Sequence, residues 1–230
     1  IGPGSSLNDA FGHNAFRVQD PTIGIDIIYD YGRYDFETPN FYLKFAQGKL
    51  LYEMGSNNFL PFLNYYERQD RWIKEQVIAL RTEEKIELFR FLQNNARPEN
   101  KKYKYDFFYD NCATRIRDVL TTSLDEKVKY TPDFITESKT FRELIRQNVY
   151  ANSWGSLGMD VAIGSVTDVE ATAWQYQFLP EYVFEAAAVA TIDRNGQEIP
   201  LIKETRVLYQ NKSATAAPNF FTSPLFVFGL

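Results

Sequence analysis

The chain reads as an α+β fold, on three observations. Short runs of β-branched and aromatic residues alternate with amphipathic stretches at helical spacing. Two pairs of strand-like runs flank turn residues and call for antiparallel hairpins. The 230 residues suit one large domain, residues 1–230, with no internal repeat and no low-complexity linker.

In chain order, residues 13–18 and 25–31 read as strands joined through Gln19-Asp20-Pro21-Thr22-Ile23-Gly24. Thr38-Pro39 starts a helix that runs to Lys49, with Pro at its first position, and Leu50 to Met54 returns as a strand. A polar-aromatic helix over 59–68 leads into a strand from Arg71 to Leu80, rich in Trp72, Ile73, Val77 and Ile78. Thr82 caps the next helix, Glu83 and Glu84 suit its positive end, and Arg97-Pro98 stops it. Tyr103 to Tyr109 is an aromatic strand-like run that delivers Asp110-Asn111-Cys112. Ala113, Ile116, Val119 and Leu120 then recur at helical spacing. Thr140 with Glu143 forms a capping-box pattern for a helix to Asn148, and Thr167 with Glu170 repeats it. Trp154-Gly155 and Leu157-Gly158-Met159-Asp160 read as a Gly-punctuated loop. Asn195-Gly196, between strand-like segments 187–192 and 198–209, is a hairpin signal.

Composition removes several function classes. Net charge is -5, and no Lys/Arg block exceeds a pair, so the electrostatic footprint of a nucleic-acid partner is missing. A single Cys excludes an intrachain disulfide, and one Cys with one His rules out the usual zinc sets. No Gly-rich phosphate loop or Gly-x-Ser-x-Gly elbow occurs, and no cofactor is expected. Aromatics are 16% of residues, which fills a core and also suits a substrate groove or a membrane-proximal surface. The chain starts at Ile1 without a leader-like stretch, so a removed signal peptide is expected. The apolar run Phe220 to Leu230 is too short to span a bilayer; it reads as a buried strand or as the first turns of a membrane helix.

Two residues carry the chemistry. Cys112 stands at a helix start, where free N–H groups and a partial charge of about +0.5 favour a thiolate and an oxyanion. Taken alone it also reads as a small buried helix residue. His13, in Phe11-Gly12-His13-Asn14, begins the first strand beside a glycine that leaves room for close approach. Taken alone it reads as a structural or surface histidine, and its role as base depends on meeting the cysteine. If Val18 pairs with Ile25, His13 faces Asp30, which would orient the imidazole; a one-residue slip would bring Tyr29 or Tyr31 instead. Asp35 is the lesser substitute. Asn111, Asp110, Tyr31 and Arg115 read as substrate-binding or supporting neighbours.

A His upstream of an Asn-Cys helix start resembles the circularly permuted papain-like superfamily, which includes the lecithin:retinol acyltransferases. More closely, the chain resembles the bacterial periplasmic domain family of the lipoprotein N-acyltransferase Lnb. The resemblance lies in Phe11 to Val18, Tyr29-Asp30-Tyr31-Gly32 with Tyr34-Asp35-Phe36, Pro39 to Leu50 and Tyr105 to Asp118. It extends through Trp154 to Gly164 and Phe178-Leu179-Pro180. It implies Cys112 as nucleophile and His13 as base, and supports Asp30 by position, where members often bear Asn. It implies a periplasmic or extracytoplasmic location and a membrane lipid or lipoprotein substrate. It also implies membrane anchoring through segments beyond this sequence, which favours the membrane reading of Phe220 to Leu230.

Three functions follow from these residues. The first is a cysteine acyltransferase working through a thioester. The second is a cysteine peptidase or amidase acting on cell-wall peptides or envelope proteins. The third is a non-catalytic envelope binding module.

Overall fold

The computed structural model describes residues 1–35, 37–40, 44, 49–125, 127–213 and 220–229. Its architecture is α+β, with antiparallel sheets and eight α-helices among these residues. The largest sheet has the order β1-β2-β3-β5, formed by Ala15–Asp20, Ile25–Arg33, Leu51–Asn58 and Lys102–Lys104. A second pairs β4 (Ile73–Ile78) with β9 (Ile202–Tyr209), and a third joins β6 (Val128–Lys129), β7 (Thr191–Arg194) and β8 (Gln197–Pro200). The helices are α1 (Phe59–Arg68), α2 (Thr82–Asn95), α3 (Cys112–Ser123) and α4 (Phe141–Arg146). The remaining four are α5 (Trp154–Ile163), α6 (Ala173–Tyr176), α7 (Pro180–Val189) and α8 (Pro224–Phe228).

The main core lies between the first sheet and helices α2, α3 and α7. Alternate strand residues Tyr29 and Tyr31 point into it, and α3 contributes Ala113, Ile116, Val119 and Leu120 from one face. A second, aromatic core gathers Phe141, Tyr176, Phe178 and Leu179, with Phe11, Phe107 and Phe108 packed on it. The cysteine helix therefore starts where the two cores meet.

The hairpin of β1 and β2 forms, but in a different register from the one assumed. Val18 pairs with Ile27 and Ala15 with Asp30, because β1 continues through Gln19 and Asp20 before the chain turns. The register moves by two residues, and a two-residue shift keeps every side chain on its own face.

Several other elements differ from expectation. The aromatic run from Tyr103 ends as a strand at Lys104, because the Asp106 carboxylate accepts from the Phe108 and Tyr109 N–H groups. This local turn takes the place of a sheet ladder. Trp154 to Asp160 is helical, despite its glycines. The Ser153 hydroxyl accepts from Ser156 N–H at the helix start, and Asp160 pairs with Arg142 and Arg146. The second capping box sits at Thr172 and Gln175 rather than Thr167 and Glu170, since Glu170 is bridged to Thr140. Residues 180–189 are helical, so the strand expected from Ala187 begins only at Thr191. The Asn195-Gly196 turn does join β7 to β8, with both residues at positive φ. Thr82 is the first residue of α2, after the N-cap Arg81. The helix expected from Pro39 to Lys49 falls mostly outside the described residues.

Candidate active site

The site is built from the ends of three elements. Cys112 is the first residue of α3, partly buried, with Asn111 as the N-cap. Asn111 is buried, and all of its side-chain hydrogen-bonding capacity is used. Its Oδ1 accepts from Ala113 N–H at 2.7 Å and Thr114 N–H at 3.0 Å. Its Nδ2 donates to the Phe107 carbonyl at 2.7 Å and the Phe178 carbonyl at 2.8 Å. The Thr114 hydroxyl in turn accepts from Asn111 N–H, completing a reciprocal cap. Asn111 thus supports the helix start and has no group left for a substrate.

The same cap limits the N–H groups open to an oxyanion. Ala113 and Thr114 N–H are committed to Asn111. Among the described residues, the N–H of Cys112 itself has no hydrogen-bond partner.

Gly32 sets the approach of α3 to the sheet. It has φ +90°, a conformation that disfavours any side chain, and a Cβ there would lie 3.3 Å from Cys112 Cβ. The register of β2 against β3 breaks between Asp30 and Arg33, around this glycine.

His13 lies just ahead of β1, its backbone tied to Ile1: His13 N–H donates to the Ile1 carbonyl at 3.0 Å. Its ring Nε2 meets Asp30 Oδ2 at 3.1 Å, with both side chains largely buried. Continuing the register of β1 would set His13 opposite Gly32, so Asp30 is its diagonal neighbour on the same face. The other ring nitrogen, Nδ1, is not engaged by Asp30, and Cys112 is near enough to act on the charge of the ring. Burial opposes a charge on the ring. The hydrogen bond with Asp30, and then the nearby Cys112 side chain, outweigh burial and raise the histidine from 6.5 to about 9.

Asp30 is held from both sides. Its Oδ1 accepts from Arg33 Nε at 2.9 Å and Arg33 Nη2 at 2.5 Å. Burial works against its ionised form, but His13 and then Arg33 keep the carboxyl below its usual range. The break in register brings Arg33 back over Asp30, and Gly55 makes space for it. A Cβ on Gly55 would sit 2.1 Å from the Arg33 guanidinium carbon. Arg33 and Gly55 were not read from the sequence, because their meeting depends on how β3 pairs with β2.

The remaining neighbours lie elsewhere. Tyr31 is fully buried in the main core, and its hydroxyl donates to Asn95 Oδ1 at 2.5 Å. Arg115 pairs with Asp110, its Nη2 donating to Asp110 Oδ2 at 2.7 Å, and its guanidinium stacks 4.0 Å above the Tyr103 ring. This pair braces the helix start from the side and lines a hollow with Phe91 and Tyr109; Cys112 is not part of that lining. Asp35 makes a local turn, accepting from Glu37 N–H at 2.8 Å. No group of His, Cys, Asp and Glu among the described residues is arranged to hold a metal ion.

A family model, the Lnb N-terminal periplasmic domain, matches residues 1–147. The chain belongs to this family. The matched Lnb segment contains His13, Asp30 and Cys112 and ends just after α4. The chain is therefore a periplasmic Lnb-related protein. No curated protein and no solved structure matches it. Among the described residues no helix is long and apolar enough to cross a membrane, and Phe220 to Gly229 form a short 3₁₀ turn and α8.

Proposed function

We propose that the chain is an extracytoplasmic cysteine acyltransferase that acts on lipoproteins or membrane lipids through a thioester on Cys112. The observation that supports this reading most is the His13 ring bonded to the buried Asp30 carboxylate, with Cys112 at the start of α3 acting on the same ring. A histidine held charged at neutral pH beside a cysteine is the arrangement that activates a cysteine nucleophile. The order His, acid, Cys agrees with a permuted papain-like core.

The Cys112 thiolate attacks the carbonyl carbon of an acyl ester, and the carbonyl electron pair moves to the oxygen. The Cys112 N–H, without a hydrogen-bond partner among the described residues, supplies a donor to that oxyanion. As the tetrahedral intermediate collapses, the ester C–O bond breaks. The leaving alkoxide takes the proton of His13, giving an alcohol and a thioester. An amine then attacks the thioester and passes a proton to neutral His13. Breaking the C–S bond restores the thiolate and releases the amide. Asp30 keeps the ring oriented and its charged form favoured throughout, and Arg33 keeps Asp30 ionised.

The test uses the protein with vesicles of envelope phospholipid and a diacylated lipopeptide, followed by intact mass. The expected result is the mass gain of one acyl chain in the wild type, released by hydroxylamine and missing in Cys112→Ala. A Cys112→Ser variant that transfers acyl groups at the wild-type rate overturns the reading. Peptide adducts in place of acyl adducts would replace it with the amidase. Membrane anchoring through segments beyond this sequence belongs to the same proposal and would place the thiol near its substrate.

A further inference from the structure

The family match ends at residue 147, yet a later segment touches the residues flanking both reactive groups. The Phe178 carbonyl accepts from Asn111, immediately before Cys112, at 2.8 Å. The Pro180 carbonyl accepts from Asn14, immediately after His13, at 3.2 Å. The segment carrying these acceptors is rigid for its own reasons. Phe178 and Leu179 are 2% exposed, and their N–H groups donate to the Gln175 and Tyr176 carbonyls, so α6 holds the turn. Pro180 is the first residue of α7, where its fixed φ suits the helix start. The Phe178 ring packs on Phe107 at 5.7 Å, and Phe107 packs on Phe11 at 5.2 Å. Phe11 and Asn14 bracket His13, and both are tied, directly or through Phe107, to the same turn.

We infer that Phe178 to Pro180 form a positioning strut, with Asn14 and Asn111 as its two arms, that sets the separation of the Cys112 thiol and the His13 ring. The inference rests on the reading of Cys112 and His13 as a reactive pair. Neither arm touches the reacting atoms. Each fixes the backbone beside one of them from a common buried support. Asn111 also caps α3, so its loss would disturb the helix as well as the strut. Asn14 is the cleaner arm to cut. Its Oδ1 is buried without a partner, so the hydrogen bond of its Nδ2 to Pro180 is the polar contact that its side chain makes.

The experiment compares wild type, Asn14→Ala and Cys112→Ala. The pH titration of the single histidine is followed by NMR, and the alkylation rate of the single cysteine by intact mass. Circular dichroism and melting monitor the fold. Misplacement of a reacting group by about 1 Å can cost up to about 100-fold in rate. An Asn14→Ala protein that stays folded is therefore expected to alkylate about fivefold to tenfold more slowly, with the His13 midpoint moved toward 6.5. Should Asn14→Ala fail to fold, Asn14→Asp carries the same test, since it keeps the volume and loses the donor at neutral pH. Wild-type rate and midpoint in the folded Asn14 variant overturn the strut and leave the pair standing, provided Cys112→Ala does move the His13 midpoint. An unmoved midpoint in Cys112→Ala overturns the pair itself, and the strut with it.

Discussion

Replacing Asp30 by Asn keeps the shape of the site and removes one charge, and the consequence follows from what Asp30 touches. The carboxylate faces His13 Nε2 at 3.1 Å and the Arg33 fork at 2.9 and 2.5 Å. In Asp30→Asn the ring loses the anion that offsets its burial, and the uncompensated Arg33 adds repulsion. The histidine then falls from about 9 toward its ordinary 6.5 or below. At pH 7.5 a histidine at 9 is about 97% charged and one at 6.5 about 9% charged, roughly a tenfold loss of imidazolium. Alkylation of Cys112 by iodoacetamide at that pH, read by intact mass, should slow by about that factor. The single Cys makes the product unambiguous. An Asp30→Asn protein that remains folded and alkylates within twofold of wild type would refute the coupling of Asp30 to the thiol through His13.

Three further outcomes follow from the same geometry. Gly32→Ala puts a Cβ 3.3 Å from Cys112 Cβ at a φ of +90°, and should lower stability by about 1–3 kcal/mol, read from urea unfolding. Asn111→Ala removes a helix cap and leaves the Phe107 and Phe178 carbonyls without their donor; a loss of about 3 kcal/mol is expected by the same measurement. The raised His13 stabilises the fold fully below about pH 6.5, and that stabilisation, at most about 3 kcal/mol, is lost as pH rises through about 9. Melting temperatures measured from pH 6 to 10 should show this decline in wild type and a flatter profile in His13→Gln.

How much of this was legible in the sequence depended on whether a signal was local. Asn111-Cys112-Ala113-Thr114 announces a capped helix start by itself, because the cap is made within four residues. The meeting of His13 with Asp30 tolerated an error in register, since the strands slid by an even number of residues and the face was kept. Non-local contacts were invisible. Arg33 reaches Asp30 only because a break in β2 turns it over Gly55 of a neighbouring strand. Asn111 looked available to a substrate until Phe107 and the distant Phe178 were found to occupy its amide. Tyr31 sits one residue from Asp30, yet strand alternation sends it into the opposite layer, toward Asn95. Glycine content misled at Trp154 to Asp160, where the Arg142 and Arg146 pairs with Asp160 hold a helix that local propensity disfavours.

The most direct measurement exploits having one histidine and one cysteine. The His13 ring protons are titrated by NMR before and after Cys112 is capped with iodoacetamide. A coupled pair gives a midpoint near 9 in the free protein and a fall of more than one pH unit once the thiol is blocked. A midpoint that does not move when the thiol is blocked would show that the two residues do not act on one another, and the account of the site would fail.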